Sequence, residues 1–404
     1  MHLTRDEERI LKGDKGEAEA LAMRIIVNLG DLEGADRLIP IKTAHISGVS
    51  YQTGGEGLIR YLERMVKAGA RVTVPSSLNP AGMDLREWRS MGVPEEFAET
   101  QLEIIDLFSK MGINMTCACN PYELFPAVTS VEKGDHIAWG ESNAVIFANS
   151  MIGARTNREG GPATLACAII GKTSNWGMHL DEGRRPTVEV RVGGELDHLG
   201  YNLLGAFIGK NMPSDIAIFR GLSPAAGREK MKHMGAALAA KGGHPIYHAE
   251  GITPESMLYP PEDTADLQRI DITQKDLLDM KDDLYPPDAD DADVFVLGCP
   301  QFGAFEFDRL AGLVRGRKMV DGKRILVFAG RDIMPHLPGK WIDEIRESGV
   351  EIYHDTCMVV TPLKGMNLGK VGTDSAKAAH YIPRMQGIGS SLLPLEVIVE
   401  RCMD

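Results

Sequence analysis

Val294-Phe295-Val296-Leu297 runs into Gly298-Cys299-Pro300, and the layout returns twice. Arg324-Ile325-Leu326-Val327-Phe328 leads to Ala329-Gly330-Arg331, and Val350-Glu351-Ile352-Tyr353-His354 leads to Asp355-Thr356-Cys357. Each is a short apolar run closed by turn formers, the mark of a buried strand. Helical stretches, Phe305 to Val314 and Trp341 to Ser348, stand between them. Such βαβαβ alternation builds a parallel sheet through crossovers of one hand. Cys299 and Cys357 should therefore share the carboxyl crest of one sheet, where ligands bind in open α/β folds.

Working outward, the N-terminal half repeats the pattern less cleanly. Thr4-Arg5-Asp6-Glu7 reads as a capping box opening a helix. Glu17 to Leu29 reads as a second helix with Gly30 as its C-cap. Three strands are expected at Leu38 to Ile41, Arg71 to Val74 and Ile113 to Thr116, with helices at Leu58 to Lys67 and Pro94 to Met111. Loops at Gly48-Val49-Ser50, Asn79-Pro80 and Cys119-Asn120-Pro121 fall at or beyond carboxyl ends of strands, as in a mainly parallel α/β domain. Thr187 to Val192 alternates like a strand with one exposed face. The Pro286-Pro287 pair and the acidic run after it place a boundary near 285–292, dividing the chain into residues 1–290 and 291–404.

Between these halves lies Trp139-Gly140-Glu141-Ser142-Asn143-Ala144, continuing through Asn149-Ser150 and Gly153-Ala154-Arg155-Thr156-Asn157-Arg158 to Gly161. It mixes a carboxylate, hydroxyls, amides and two arginines with small residues and the apolar Val145-Ile146-Phe147. Two readings fit. The stretch is a buried polar site whose arginines await an anion, or it is an internal hydrogen-bond network holding domains together.

Composition narrows the function. A net charge of -13 in 404 residues argues against nucleic acid as the main partner, yet permits a small anionic substrate at a local cationic cluster. The N-terminus lacks a signal-peptide layout and no apolar run is long enough to span a bilayer, so the expected location is cytoplasmic. P-loop, Rossmann and nucleophile-elbow signatures are absent.

Of the six cysteines, Cys119, Cys299 and Cys357 follow predicted strands. Three thiolates can hold a cubane cluster by three irons and leave the fourth open. They can equally hold zinc with an open position, or be inert buried thiols. Cys117, Cys167 and Cys402 read as bystanders, the last at a fraying terminus. His45 reads as structural or as a substrate hydrogen-bonder. His354 and His380 lie near the loops without an assigned role. Lys377 offers a point charge for an anion.

Taken together, Gly140 to Ala144, Asn149-Ser150, Gly153 to Arg158, Cys119 to Tyr122, Gly298-Cys299-Pro300, Asp355-Thr356-Cys357 and Lys377 resemble the aconitase X family over nearly the whole chain, and its archaeal large-subunit type most. The resemblance implies an aconitase-like three-layer α/β/α core with mainly parallel sheets, lacking the swivelling small domain. It implies a 4Fe-4S cluster on Cys119, Cys299 and Cys357, seen as 3Fe-4S or lost after oxidation. It implies dehydration of (R)-5-phosphomevalonate, a small phosphorylated hydroxy acid, to trans-anhydromevalonate 5-phosphate on an archaeal mevalonate route to isoprenoids. It places Glu141 and Ser142 in catalysis, and Gly48, Val49, Ser50, Asn79, Pro80, Glu141, Ser142 and Lys377 against substrate, with Arg155 and Arg158 as second choices. Single-chain relatives carry a swivelling domain that supplies a catalytic serine. With Asp404 soon after Lys377, a separate small subunit is expected as partner. The rivals are the cis-3-hydroxy-L-proline dehydration of bacterial relatives and a non-catalytic scaffold subunit with zinc or no metal.

Overall fold

A computed structural model describes residues 1–123, 130–284 and 292–404. The expected boundary near 285–292 lies outside the described residues, apart from its last position.

The C-terminal sheet is five-stranded and wholly parallel: β10 (Val294–Phe302), β11 (Arg324–Ala329), β12 (Glu351–His354), β13 (Lys370–Thr373) and β14 (Gly389–Leu392) in the order β12-β11-β10-β13-β14. Both faces are covered. Ile325, Val327 and Ala329 pack on one side with Phe307, Leu310 and Ile345. Leu326 and Phe328 pack on the other with Val296, Met358 and Ile382. Each such side chain contributes roughly 1.5–3 kcal/mol by leaving water, which explains why the runs are continuously apolar. The chain winds from β10 outward in both directions. Its topological switch therefore lies between the carboxyl ends of β10 and β13, the crevice where such sheets bind ligands.

The N-terminal parallel sheet is smaller: β2 (Ala44–Ile46) lies between β3 (Ser76–Leu78) and β4 (Ala138–Trp139), and a bridge Ser77–Asn114 adds a fourth line. A single bridge, Ala81–Thr356, links this crest to the other sheet. A separate antiparallel pair joins β1 (Leu38–Pro40) to β5 (Lys172–Ser174). A third parallel sheet, in the order β8-β7-β6-β9, comprises β6 (Val188–Val192), β7 (Ala217–Arg220), β8 (His248–Ala249) and β9 (Gln268–Ile272).

The structure corrects several local expectations. Thr4 and Glu7 do form the capping box of helix Arg5–Lys12. The next helix, however, runs through Gly30 to Leu32. A Cβ at Gly30 would lie 2.1 Å from Met1 and 2.4 Å from Ser174, so that glycine permits close packing rather than a stop. Arg71 to Val74 is not a strand. Pairing begins at Ser76, after Pro75, whose carbonyl accepts the Ala44 N–H. Ile113 to Thr116 contributes only its bridge. Glu189 faces inward rather than to solvent, because Arg191, Arg220 and Arg269 neutralise it. Cys402 is buried in helix Leu395–Cys402 rather than frayed.

Candidate active site

The N-terminal and C-terminal parallel sheets present their carboxyl ends to one cavity of about 230 Å³. From the smaller sheet come Ser47 after β2, Asn79 and Pro80 after β3, Glu141 and Ser142 after β4, and Cys119 after the Asn114 bridge. From the larger sheet come Cys299 at the end of β10, Cys357 after β12 and Lys377 after β13. Close approach of the Ser47 loop needs glycine: a Cβ at Gly161 would stand 2.4 Å from the Ser47 carbonyl, and one at Gly140 would stand 2.7 Å from its hydroxyl.

Expected site residues thus separate. Asn79, Pro80, Glu141, Ser142, Lys377 and all three cysteines line the cavity. Gly48, Val49 and Ser50 stand just behind it. Ser50 caps helix Tyr51–Lys67 and donates to the Val360 carbonyl at 2.9 Å, while the Val49 carbonyl accepts from Gln101. Arg158 also lines the cavity, donating to the Ala239 carbonyl at 3.2 Å. Arg155 instead pairs with Asp181 and the His179 carbonyl.

At the floor, Lys377 Nζ donates to Glu141 Oε1 at 2.5 Å, both side chains buried. Glu141 Oε2 accepts the Ala144 N–H at 2.7 Å as N-cap of helix Ser142–Phe147, and Oε1 accepts from Ser142 Oγ at 3.1 Å. Burial disfavours the carboxylate, but Lys377 outweighs it and holds Glu141 below its ordinary pKa. Burial likewise opposes the ammonium, yet Glu141 and the nearby thiols hold Lys377 above its own. Both stay charged. His45 is buried and neutral, its pKa pushed down to about 4 by desolvation, with Nδ1 on Ser77 Oγ at 2.9 Å. His45 Nε2 and Asn79 Oδ1 make no bond of good hydrogen-bond geometry, although the Asn79 side chain lies close enough to His45 to favour its charged form.

The three thiols are free and buried. Burial pushes Cys119 well up, Cys299 up to about 12 and Cys357 up, while Lys377 pulls each back. Such thiols ionise only if a cation joins them, as coordination does outright. Among the described residues they do not form a set of three ligand atoms within 4.8 Å of one another, as three sulfurs on one zinc at about 2.3 Å would. All three line one cavity, where three thiolates could hold a cluster.

Gln301 was not singled out from sequence. It is fully buried, and it ties the cysteine loops together. Its N–H donates to Cys119 Sγ at 3.2 Å, its side-chain oxygen accepts the Cys119 N–H at 2.9 Å, and its amide donates to the Thr356 carbonyl at 2.8 Å. Ser375 adds a short bond to the Cys299 carbonyl, and Asn143 one of 3.2 Å to that of Cys119. The only sequence signal for Gln301 was its place just after Cys299-Pro300. Ser47 had a comparable one, adjoining Gly48.

Family models for the first, second and third domains of aconitase X match residues 1–182, 186–282 and 292–404. The phosphomevalonate dehydratase large subunit of Methanosarcina mazei is 40% identical over 401 residues, covering 99% of this chain and 97% of the relative. That of Thermococcus kodakarensis is 42% identical over 383 residues, with 94% and 95% covered. The cis-3-hydroxy-L-proline dehydratase of Pseudomonas aeruginosa is 34% identical, with 94% of this chain but 66% of the relative covered. The crystal structure of Thermococcus kodakaraensis aconitase X in its holo-form matches with a TM-score of 0.90 and 40% identity, each chain covered in full. No helix among the described residues is long and apolar enough to cross a membrane.

Proposed function

The chain belongs to the aconitase X family, and on that premise we propose that it is the large catalytic subunit of a cytoplasmic phosphomevalonate dehydratase. It removes water from (R)-5-phosphomevalonate to form trans-anhydromevalonate 5-phosphate. The observation that carries the reading is the single cavity in which Cys119, Cys299 and Cys357 meet the Glu141–Lys377 pair.

A 4Fe-4S cluster on those cysteines supplies, when bound, a Lewis-acidic iron that eases departure of the tertiary hydroxyl. The chain's own residues do the rest of the binding. Lys377 keeps a fixed positive charge where a carboxylate approaches. Arg158, at the exposed side of the cavity, has no carboxylate partner among the described residues and offers its guanidinium to the phosphate. Asn79 and Pro80 line the cavity wall against which the substrate would lie. Ser142 holds its proton toward the Glu141 carboxylate, so these two form the chain's proton-handling pair. The base for the α-proton is assigned to the separate small subunit, without which this chain is inactive.

Hydroxyproline dehydration fits less well. A ring ammonium needs a free carboxylate, and the cavity's Glu141 already serves Lys377, Ser142 and Ala144. A scaffold would need none of these converging groups. The test is iron and acid-labile sulfide content on anaerobically purified protein, then turnover with the small subunit added. Phosphomevalonate should be consumed and cis-3-hydroxy-L-proline should not. Zinc or no metal after anaerobic reconstitution would sink the dehydratase reading.

A further inference from the structure

Helices His198–Asn211 and Gly227–Gly242 pack side by side and gather a cluster that the cysteine cavity does not use. One ring nitrogen each of His198 and His233 and one oxygen of Glu229 lie within 4.8 Å of one another. Glu229 and His233 sit one turn apart on one helix and so share a face. His198 is the first residue of the other helix, held there by the Asp197 cap. His198 Nδ1 stands 2.9 Å from Glu229 Oε1. Yet neither atom has a hydrogen-bond partner, and neither do His198 Nε2 and His233 Nδ1. The contact has a hydrogen bond's length without its direction. Leaving one such buried group unsatisfied costs about 1–3 kcal/mol, and Glu229 and His233 are both more than nine-tenths buried.

The surroundings complete a ligand set. His233 Nε2 faces Glu306 Oε1 at 3.4 Å, the arrangement in which a carboxylate orients a ligating imidazole through its far nitrogen and leaves Nδ1 for a metal. The local cations are Arg309, 3.6 Å from Glu229 and also paired at 2.7 Å to Glu396; Lys232, paired to Glu306 and, at 3.2 Å, to Glu123; and Arg228, whose charge acts on Glu123. A cavity of about 220 Å³ lined by Asp197, His198, Arg309 and Asp374 opens a path to His198.

We propose that His198, Glu229 and His233 bind one divalent transition-metal ion of the zinc class, at a site separate from the three cysteines. Two imidazoles and one carboxylate suit zinc or cobalt, whereas magnesium and calcium prefer all-oxygen shells. The ion clamps the two helices. Through Lys232, whose Nζ donates to the Gln301 carbonyl at 3.3 Å, it also stands behind the cysteine loops.

The test uses the full chain with Cys119, Cys299 and Cys357 all changed to Ser, so that the cluster site cannot bind the probe. Chelator-treated protein is titrated with Co²⁺ and followed by metal content and visible absorption. One cobalt per chain, with d–d bands and no thiolate-to-cobalt charge transfer, is expected. His233→Gln and Glu229→Gln should abolish that spectrum. Glu306→Gln, milder for folding, should weaken affinity about 10–100-fold. Failure of the chain lacking those three cysteines to take up cobalt, or unchanged binding after His233→Gln, overturns the proposal. Either result leaves the cysteine-cluster reading untouched, because those cysteines are absent from the test.

Discussion

Two buried ion pairs in this molecule are built alike and used differently. Arg184 donates to Glu255 from Nε and Nη2 at 2.9 Å each, from Nη1 to Asn149 Oδ1 and the Met178 carbonyl, and from Nη2 also to the Asn149 carbonyl. That network is closed. Lys377 meets Glu141 at 2.5 Å, but at a cavity wall beside three protonated thiols and Asn79. That network is open. A closed pair gains nothing from a ligand, whereas an open one has bonding capacity in reserve. The polar stretch from Trp139 to Gly161 contains both kinds. Its middle, Asn149 with Thr156 and Asn157 with Met178, is internal scaffolding, while Glu141, Ser142 and Arg158 face the cavity.

The sharpest way to break the comparison is at the cysteines. Cys119→Ser should lose iron, sulfide and turnover together, and turnover without iron would remove the open pair's chemical purpose. Next is Lys377→Met. It should lower kcat by roughly 10²–10³, the usual loss of a preorganised charge, while costing less stability than its counterpart because the freed Glu141 can hydrate through the cavity. Arg184→Met, read by urea unfolding, should cost about 3–5 kcal/mol, the penalty for stranding a buried charge, and leave iron content intact. Equal stability losses for the two would erase the distinction. Arg158→Gln should raise KM for the phosphorylated substrate by roughly 10–100-fold, as loss of one charge-assisted bond of about 1.5–3 kcal/mol implies, with kcat moved less. The smallest effect concerns Glu189. Desolvation opposes its charge, but three arginines hold its pKa below the ordinary value of 4.5. Its contribution is therefore complete above the carboxylate range and lost as pH falls through the lowered value. Glu189→Gln should flatten that acid-side decline in melting temperature.

Most of the large sheet and most of the site were legible in sequence, for a common reason. Parallel strands buried on both faces must be continuously apolar, and the loops after them must carry the polar chemistry, so Cys299 and Cys357 stand out, whereas the strands Lys370–Thr373 and Gly389–Leu392 lack such a run and Lys377 is placed in the site only through the resemblance. What escaped notice lacked a local signature. The three-residue strand Ser76–Leu78 is polar where it pairs, and Arg71 to Val74 looked more β-like beside it. Helix His198–Asn211 shows no polar face because it is covered nearly all round. Gln301 resembles any glutamine until the fold brings the Cys117, Cys119 and Thr356 backbones around its amide.

Glu141 and Lys377 are 236 positions apart in the chain. At about 5–20 residues per second, a ribosome that has made the first needs on the order of ten to fifty seconds to make the second. For most of that interval Cys119 lacks both Cys299 and Cys357, which are made later. The cavity is therefore incomplete until Lys377 has been made, and a cluster on these cysteines would have to be built on a chain whose distant segments have already met.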